Sequence, residues 1–478
     1  MRWWRSCRRC RSRGTLLAAL VLAALSSGVS AATDSGTGIT IAGDAAAPHD
    51  PPDDPTFTVE VDPDFARRAD SLIAGQVDPS RLADYLVLAA VRNPELAAAL
   101  AQARAAAERP ARVASLPDPR LELAYMIREV ETRVGPQRGR IGISQAVPWF
   151  GTLGLRGEAA SAEAKAALER YVAVKLGLFV RVEDAYADYY LLGREVEITR
   201  RNLELLGDLE EVARIRYRTA SAKHGDVIKA QVELGRLGER LAALEDRRRP
   251  LVARLNALID RAPAAPLAWP ETIDTDTLRV DEAELRARVL ARNPELRALD
   301  HEITAGEKRL ALAGKAFYPD LMLGLGVTIT GQALDPSIPD SGKDPIVASM
   351  AIDLPIWWGA YRAGKREAQA GLAASEARRS GRARRLETEL EQTLYAYRDA
   401  ERKIGLYRDT LVPKGRQSLE ASETAFTAGS GDFLDVIDAQ RVLLEFELSY
   451  ERALAARARR LAELEMLAGG SASLEEVP

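Results

Sequence analysis

A six-residue stretch occurs twice in this chain, and the repetition limits its architecture more than any other feature. Asp226-Val227-Ile228-Lys229-Ala230-Gln231 returns as Asp435-Val436-Ile437-Asp438-Ala439-Gln440, five of six residues identical at an offset of 209. Internal periodicity takes precedence over length in deciding architecture. The 478 residues therefore read as one duplicated unit. Each copy of the hexapeptide follows a long helical pattern and a short turn, Tyr217 to Gly225 and Phe426 to Gly431, and opens a second helix. The repeated element is a helical hairpin tip, with Asp226 and Asp435 expected as N-caps or first-turn acids beside the positive helix end.

The N-terminus reads as an export signal. Arg2, Arg5, Arg8, Arg9, Arg11 and Arg13 precede an apolar run from Leu16 to Leu25 and a small-residue stretch around Ala31. A charged segment, a short apolar core and small residues make a secretory signal peptide over residues 1–31. Both cysteines, Cys7 and Cys10, lie inside it, so the mature chain is expected to lack disulfides, thiol nucleophiles and thiolate metal sites. The signal holds six arginines and no acid, and its removal leaves 60 basic against 70 acidic residues, a net charge of −10. That charge argues against a nucleic-acid partner. No later apolar run has the roughly 20 residues that a membrane-spanning helix needs. A soluble periplasmic protein and a β-barrel protein remain, because barrel strands give a much weaker signal.

Residues 32–79, rich in Pro, Asp, Gly and Thr around Asp50-Pro51-Pro52-Asp53-Asp54-Pro55, are expected to form an extended lead-in, in which His49 reads as a solvated linker residue. The first repeat spans 80–262. Its first helix stops before Arg92-Asn93-Pro94-Glu95-Leu96, where Pro94 suits the first turn of the next helix. The same residues reappear as Arg292-Asn293-Pro294-Glu295-Leu296 in a second repeat over 281–468, after a Pro- and Thr-rich linker at 263–280. A tail runs from 469 to 478.

After a Pro-Asp step, each copy changes to a two-residue period. Leu121, Leu123, Tyr125 and Ile127, then Ile141, Ile143, Gln145 and Val147, occupy alternate positions in the first copy; Leu321, Leu323, Leu325, Val327 and Ile329, then Ile346, Ala348, Met350 and Ile352, do so in the second. Alternation over about ten residues between turn signals predicts strands of bilayer-spanning length, one β-hairpin at 119–148 and one at 320–355. Each second strand ends in Pro and aromatics, with Trp149, Phe150, Trp357 and Trp358 placed as an interfacial girdle or as a packed corner between sheet and helix. Helical hairpins follow at 152–261 and 359–468. In the first, Leu178, Ala185, Leu192, Thr199 and Leu206 recur every seven residues, interleaved with Val182, Tyr189, Val196 and Leu203. In the second, Leu386, Thr393, Ala400 and Tyr407 interleave with Leu390, Tyr397, Ile404 and Leu411, and Pro413 is expected to kink the helix. Such a/d heptads are a coiled-coil seam. Four strands cannot close a barrel, since the smallest need about eight, and lipid does not tolerate an open edge. If the strands span a membrane, several chains must share one barrel.

The order of these elements, with Asn-Pro-Glu-Leu, Gln145-Ala146-Val147-Pro148-Trp149-Phe150-Gly151 and the Asp-Val-Ile-x-Ala-Gln tips, resembles the outer membrane efflux protein family of TolC over about residues 80–468. The stretch Pro-Trp-Phe-Gly-x-Leu-x-x-Arg, ending at Arg156, resembles its heavy-metal efflux branch. The resemblance implies a mainly α fold with a membrane β-barrel: a homotrimer carrying a twelve-stranded barrel in outer-membrane lipid on a twelve-helix periplasmic tunnel. It implies partners in a periplasmic membrane fusion protein and an inner-membrane pump of the RND type, docked at tips formed by Tyr217, His224, Gly225, Phe426, Gly429 and Gly431. Asp435 and Asp438 match the two acids of the family's periplasmic constriction, and Asp226 an acid that holds the closed state. The best-known member has an arginine where this chain has Gly431, leaving Lys229 or Lys223 to replace that tether. Independently of the family, Asp435 and Asp438 share a helix face at i, i+3. Around a three-fold axis they form rings that attract cations; singly, Asp435 caps its helix and Asp438 is a surface acid.

No phosphate loop, zinc spacing or nucleophile motif appears, and His49, His224 and His301 are far apart, so neither an enzyme nor a cofactor is expected. A type I secretion duct shares the fold and differs in cargo. A soluble coiled-coil adaptor lacks a use for two β-hairpins of membrane-spanning length.

Overall fold

The two Asn-Pro steps organise the helical part of the chain in the same way. In the computed structural model, which describes residues 68, 70–75, 78–219, 223–273, 278, 281–335 and 337–470, helix α1 (Leu82–Arg92) stops at Asn93 and α2 (Pro94–Ala107) starts at once. Proline at the first helical position has no N–H to leave unpaired, so the break is clean. The Asn93 carboxamide accepts from Leu96 N at 3.1 Å and donates to the carbonyl of Leu258 at 3.0 Å. In the second half α7 (Glu282–Arg292) stops at Asn293, α8 (Pro294–Lys315) follows, and Asn293 donates to Leu467 O at 3.0 Å. Each asparagine thus satisfies a carbonyl left open at the end of a return helix.

The first half continues with α3 (Arg109–Ala114), β1 (Arg120–Val130), β2 (Gln137–Val147), α4 (Thr152–Arg218), α5 (His224–Asp246) and α6 (Arg248–Leu258). The second continues with β3 (Leu321–Thr330), β4 (Ile346–Ile352), α9 (Trp358–Leu406), a π-helical turn (Tyr407–Leu411), α10 (Val412–Ala428) and α11 (Phe433–Leu467). The signal segment, most of the lead-in with His49, and residues 471–478 of the tail lie outside the described residues. Two compact units result, one of residues 1–98, 172–293 and 385–478, the other of 99–171 and 294–384.

In the first unit the heptad stripe of α4 is the core: Leu178, Val182, Ala185, Tyr189 and Leu206 are fully buried. The stripe of α9 holds from Leu386 to Ile404 and then departs from expectation. Continued in phase it would bury 411, 414, 418 and 425; instead Val412, Gly415, Leu419 and Phe426 face inward. The cause is the π-turn, whose wider ring (Val412 N to Tyr407 O) takes up one extra residue and moves the seam by one. Pro413 falls in the first turn of α10, where its missing donor costs little.

Two segments expected as loose are tied down. Residues 70–73 are helical, Leu72 is buried, and Arg92 donates to Ile73 O at 2.5 Å. In the linker, Trp269 stacks on Tyr189 at 4.8 Å with Arg248 over its other contacts at 4.5 Å, while Tyr189 Oη donates to Leu267 O at 3.0 Å. Apolar Leu267, Trp269 and Ile273 outweigh the surrounding prolines, because burying each removes surface from water.

In the second unit the four strands form one antiparallel sheet in the order β1-β2-β3-β4. The two hairpins are joined through β2 and β3, with Ile141 opposite Val327 and Ile143 opposite Leu325. Leu121, Ile143, Leu325 and Ala348 therefore lie in one row on one face; Gly142 and Gly326, then Ser144, Gly324 and Ser349, lie on the other. The apolar face is bare, with Ile127 94% and Tyr125 81% exposed. Gly135, at φ +130°, lets the β1–β2 loop meet the segment after β3, and any Cβ there would lie 1.8 Å from Gly331 O. No helix among the described residues is long and apolar enough to cross a membrane.

Tyr189→Ala should remove about 3–5 kcal/mol of packing and release the linker. Limited proteolysis should then cut between residues 262 and 273, where the wild type resists.

Candidate functional site

The hairpin tips are built on two helix starts with different caps. Helix α11 is capped by Asp432, whose carboxylate accepts from Leu434 N at 3.3 Å. Asp435 is therefore not the cap: it lies in the first turn, leaving its carboxylate free of that duty. Asp226 occupies the first turn of α5, after Lys223 at the N-cap position. Both acids stand where the unpaired amides of a helix start favour negative charge.

Asp435 and Asp438 are both exposed and, with Ser418, Ala421, Ser422 and Ala425 of α10, line an open groove. Small side chains on α10 leave the two carboxylates standing clear. Asp435 has no ion pair among the described residues, whereas Asp438 receives Arg441 Nη1 at 3.3 Å. Arg441 also reaches across to the first hairpin, donating to Glu233 of α5 from Nη2 at 2.5 Å and Nε at 3.1 Å. This hydrogen-bonded guanidinium holds the nearly buried Glu233 carboxyl below its usual range near 4.5.

The second clasp uses Arg216 near the end of α4. Its guanidinium lies 4.6 Å from the centre of the Phe426 ring and donates to the Phe426 carbonyl. That carbonyl belongs to a helix end closed by Gly429, left-handed at φ 82°, whose N–H returns to Ala425 and Phe426. Gly431 is excluded from carrying a side chain by packing: a Cβ there would be 2.9 Å from that of Ala425 and 3.0 Å from Phe426 N. The absent arginine at this position has a steric reason.

Three expectations change. Lys229 does not tie the tips together; it pairs within its own helix, 3.9 Å from Asp226, and Arg216 and Arg441 make the ties. Phe426 is not a docking surface, being 3% exposed and packed on Phe433 at 5.1 Å, because an aromatic at a helix turn is more stable in the seam than in water. Trp149 belongs to a packed corner, stacked on Tyr318 at 5.3 Å with its N–H bonded to Asp320 at 2.8 Å. Phe150, Trp357 and Trp358 are bare, at 72%, 72% and 60%. Tyr217 and His224 meet at 4.9 Å, and the Gly225 Cβ position faces open space, so these three remain on the surface of the first tip. Arg216, Glu233 and Arg441 were missed by sequence reasoning, although Arg441 stands one turn after Asp438 at a spacing that predicts pairing.

A sheet with a bare apolar face, long heptad helices and duplicated acidic tips defines an outer-membrane efflux channel, not an enzyme. The comparisons agree. The model of the outer membrane efflux protein family matches the chain twice, over residues 85–260 and 285–470. The chain belongs to that family, whose members are the outer-membrane channels of tripartite efflux systems. Among solved structures, the outer membrane protein VceC of Vibrio cholerae is similar at 20% identity and a TM-score of 0.68, covering 82% of this chain and 96% of its own. CusC is similar at 17% identity and 0.71, over 83% and 93%. The open state of the Neisseria gonorrhoeae channel MtrE is similar at 20% and 0.66, over 82% and 89%. These identities speak for the fold. No curated protein matches the chain.

The Arg441 clasp has a pH sign. A depressed carboxyl stabilises the folded state above the unfolded value and loses that effect as pH falls through the folded one. Spin labels at Val232→Cys and Val442→Cys, in a mature chain without native cysteines, should keep one narrow distance between pH 7 and 5. The distribution should broaden below about 4.5. Arg441→Ala, at a cost of about 1.5–3 kcal/mol for a charged hydrogen bond, should broaden it at neutral pH.

Proposed function

We propose that three copies of this chain form one exit duct, in which twelve strands close a barrel through the outer membrane and the hairpin tips form its periplasmic aperture. The sheet carries this reading. Its face of Leu, Ile and Tyr is bare in the single chain, and β1 and β4 are edges without a partner. Unpaired edge amides are not tolerated in lipid, where water cannot satisfy them, so β4 of one copy pairs with β1 of the next. Small residues on the opposite face (Gly142, Ser144, Gly324, Gly326, Ser349) suit the lining of a water-filled lumen.

At the aperture, three copies of Asp435 and Asp438 would form two stacked rings of negative charge, with Asp438 half-neutralised by Arg441. Such rings favour cations, and together with the Pro-Trp-Phe-Gly-x-Leu-x-x-Arg resemblance they support heavy-metal cations as cargo. The partners under this reading are a periplasmic fusion protein, which engages the exposed Tyr217, His224 and Gly225, and an inner-membrane pump of the RND type.

Light scattering of the protein extracted from outer membranes, corrected for detergent, should give three times the chain mass; a detergent-independent monomer would remove the barrel. Asp435→Ala with Asp438→Ala should raise bilayer conductance and lower cation preference. Unchanged conductance and selectivity would show that the acids line no constriction.

A further inference from the structure

At the junction of sheet and helices within the second unit lies a cavity of about 520 Å³. Its wall includes Arg156 of α4, Leu312 and Lys315 of α8, and Asp353 and Leu354 after β4. A volume in this range suits a small organic group. Arg156 is exposed and has no ion pair among the described residues. Lys315 is half-buried, and its ammonium rests 5.6 Å from the centre of the Tyr318 ring, a contact that leaves its charge without an anion. The third base of the wall, Arg309, is already paired with Glu163, and the Asp320 carboxylate with the Trp149 N–H. Asp353 has no basic partner among the described residues. Two uncommitted bases and one uncommitted acid thus open on one cavity.

The lip of that cavity is apolar and continuous with the bare face of the sheet. Alternation runs on past the end of β4: Ile352, Leu354, Ile356 and Trp358 are 45%, 72%, 64% and 60% exposed. Leu354 belongs both to this row and to the cavity wall. Few molecules present a phosphate, an ammonium and an apolar body in that order. We infer that the cavity binds the headgroup of a glycerophospholipid, its phosphate held by Arg156 and Lys315, an ethanolamine ammonium facing Asp353, and its acyl chains lying along Leu354 and Ile356. Basic side chains beside an interfacial aromatic are the usual recognition chemistry for a lipid phosphate. The site gives Arg156, which closes the Pro-Trp-Phe-Gly-x-Leu-x-x-Arg motif, a task that conduction does not require.

The inference rests on the sheet being membrane-spanning, and the two fail in different ways. Purified, delipidated protein in detergent is titrated with phosphatidylethanolamine, phosphatidylglycerol or inorganic phosphate and read by native mass spectrometry. The wild type should retain phosphatidylethanolamine, and Arg156→Gln with Lys315→Gln should lower the bound fraction about tenfold, the loss of one charged contact. Asp353→Asn should shift preference towards phosphatidylglycerol. Equal lipid retention by the double variant and the wild type overturns the site, as does displacement of lipid by inorganic phosphate at equal concentration, which would mark a free-anion site. If the double variant loses its native mass, the exposed Arg156→Gln alone decides by the same comparison. Recovery of the wild type from the soluble fraction would instead overturn the membrane reading itself.

Discussion

The backbone amides of β1 and β4 have no hydrogen-bond partners within the chain, and most of the architecture answers to that constraint. A row of open N–H and C=O groups beside a bare apolar face is unstable in water, where it invites aggregation, and in lipid, where nothing solvates it. Pairing the two edges with other copies resolves both problems at once. The duplication makes this economical, because one gene product supplies two hairpins that already match in register through β2 and β3.

Below the level of assembly, the helices are held by two kinds of contact with different consequences. The apolar seam of α4, α9 and α11 is directionless and tolerates a phase shift, as the π-turn at Tyr407–Leu411 shows. Where the wall has small buried residues such as Ala166, Ala298 and Ala305, it is stitched by exposed ion pairs, among them Glu169 with Arg297 at 2.8 Å and Lys308 with Glu158 at 2.7 Å. Each such pair contributes little by itself, so the wall relies on close helix approach more than on charge. At the tips the balance reverses. There Arg441 and Arg216 make specific, geometry-dependent bonds between the two repeats, a form of contact that can be broken locally without unpacking the seam.

Much of this was legible in the chain itself because it depends on periodicity. The period of two at residues 120–130 and 321–330 predicts strands, the heptads of α4 predict its buried stripe, and Asn-Pro predicts the helix breaks at 93 and 293. The failures share a cause as well. The path of the seam after Ile404 depends on how a helix absorbs Pro413, which no local pattern states. The burial of Phe426, the packing of Trp149 on Tyr318, and the anchoring of the Pro-rich linker by Trp269 depend on partners more than 70 residues away in each case.

The sequence by itself determined the duplication, the class of each long element, the amphipathic faces of the strands and the family, since all of these follow from residue type and spacing along one chain. The tertiary structure decided which side chains hold the tips and which stand free. Arg441 reaches Glu233 and Arg216 reaches Phe426 across more than 200 positions, and a contact of that kind exists only once packing has brought two distant helices within the length of an arginine side chain.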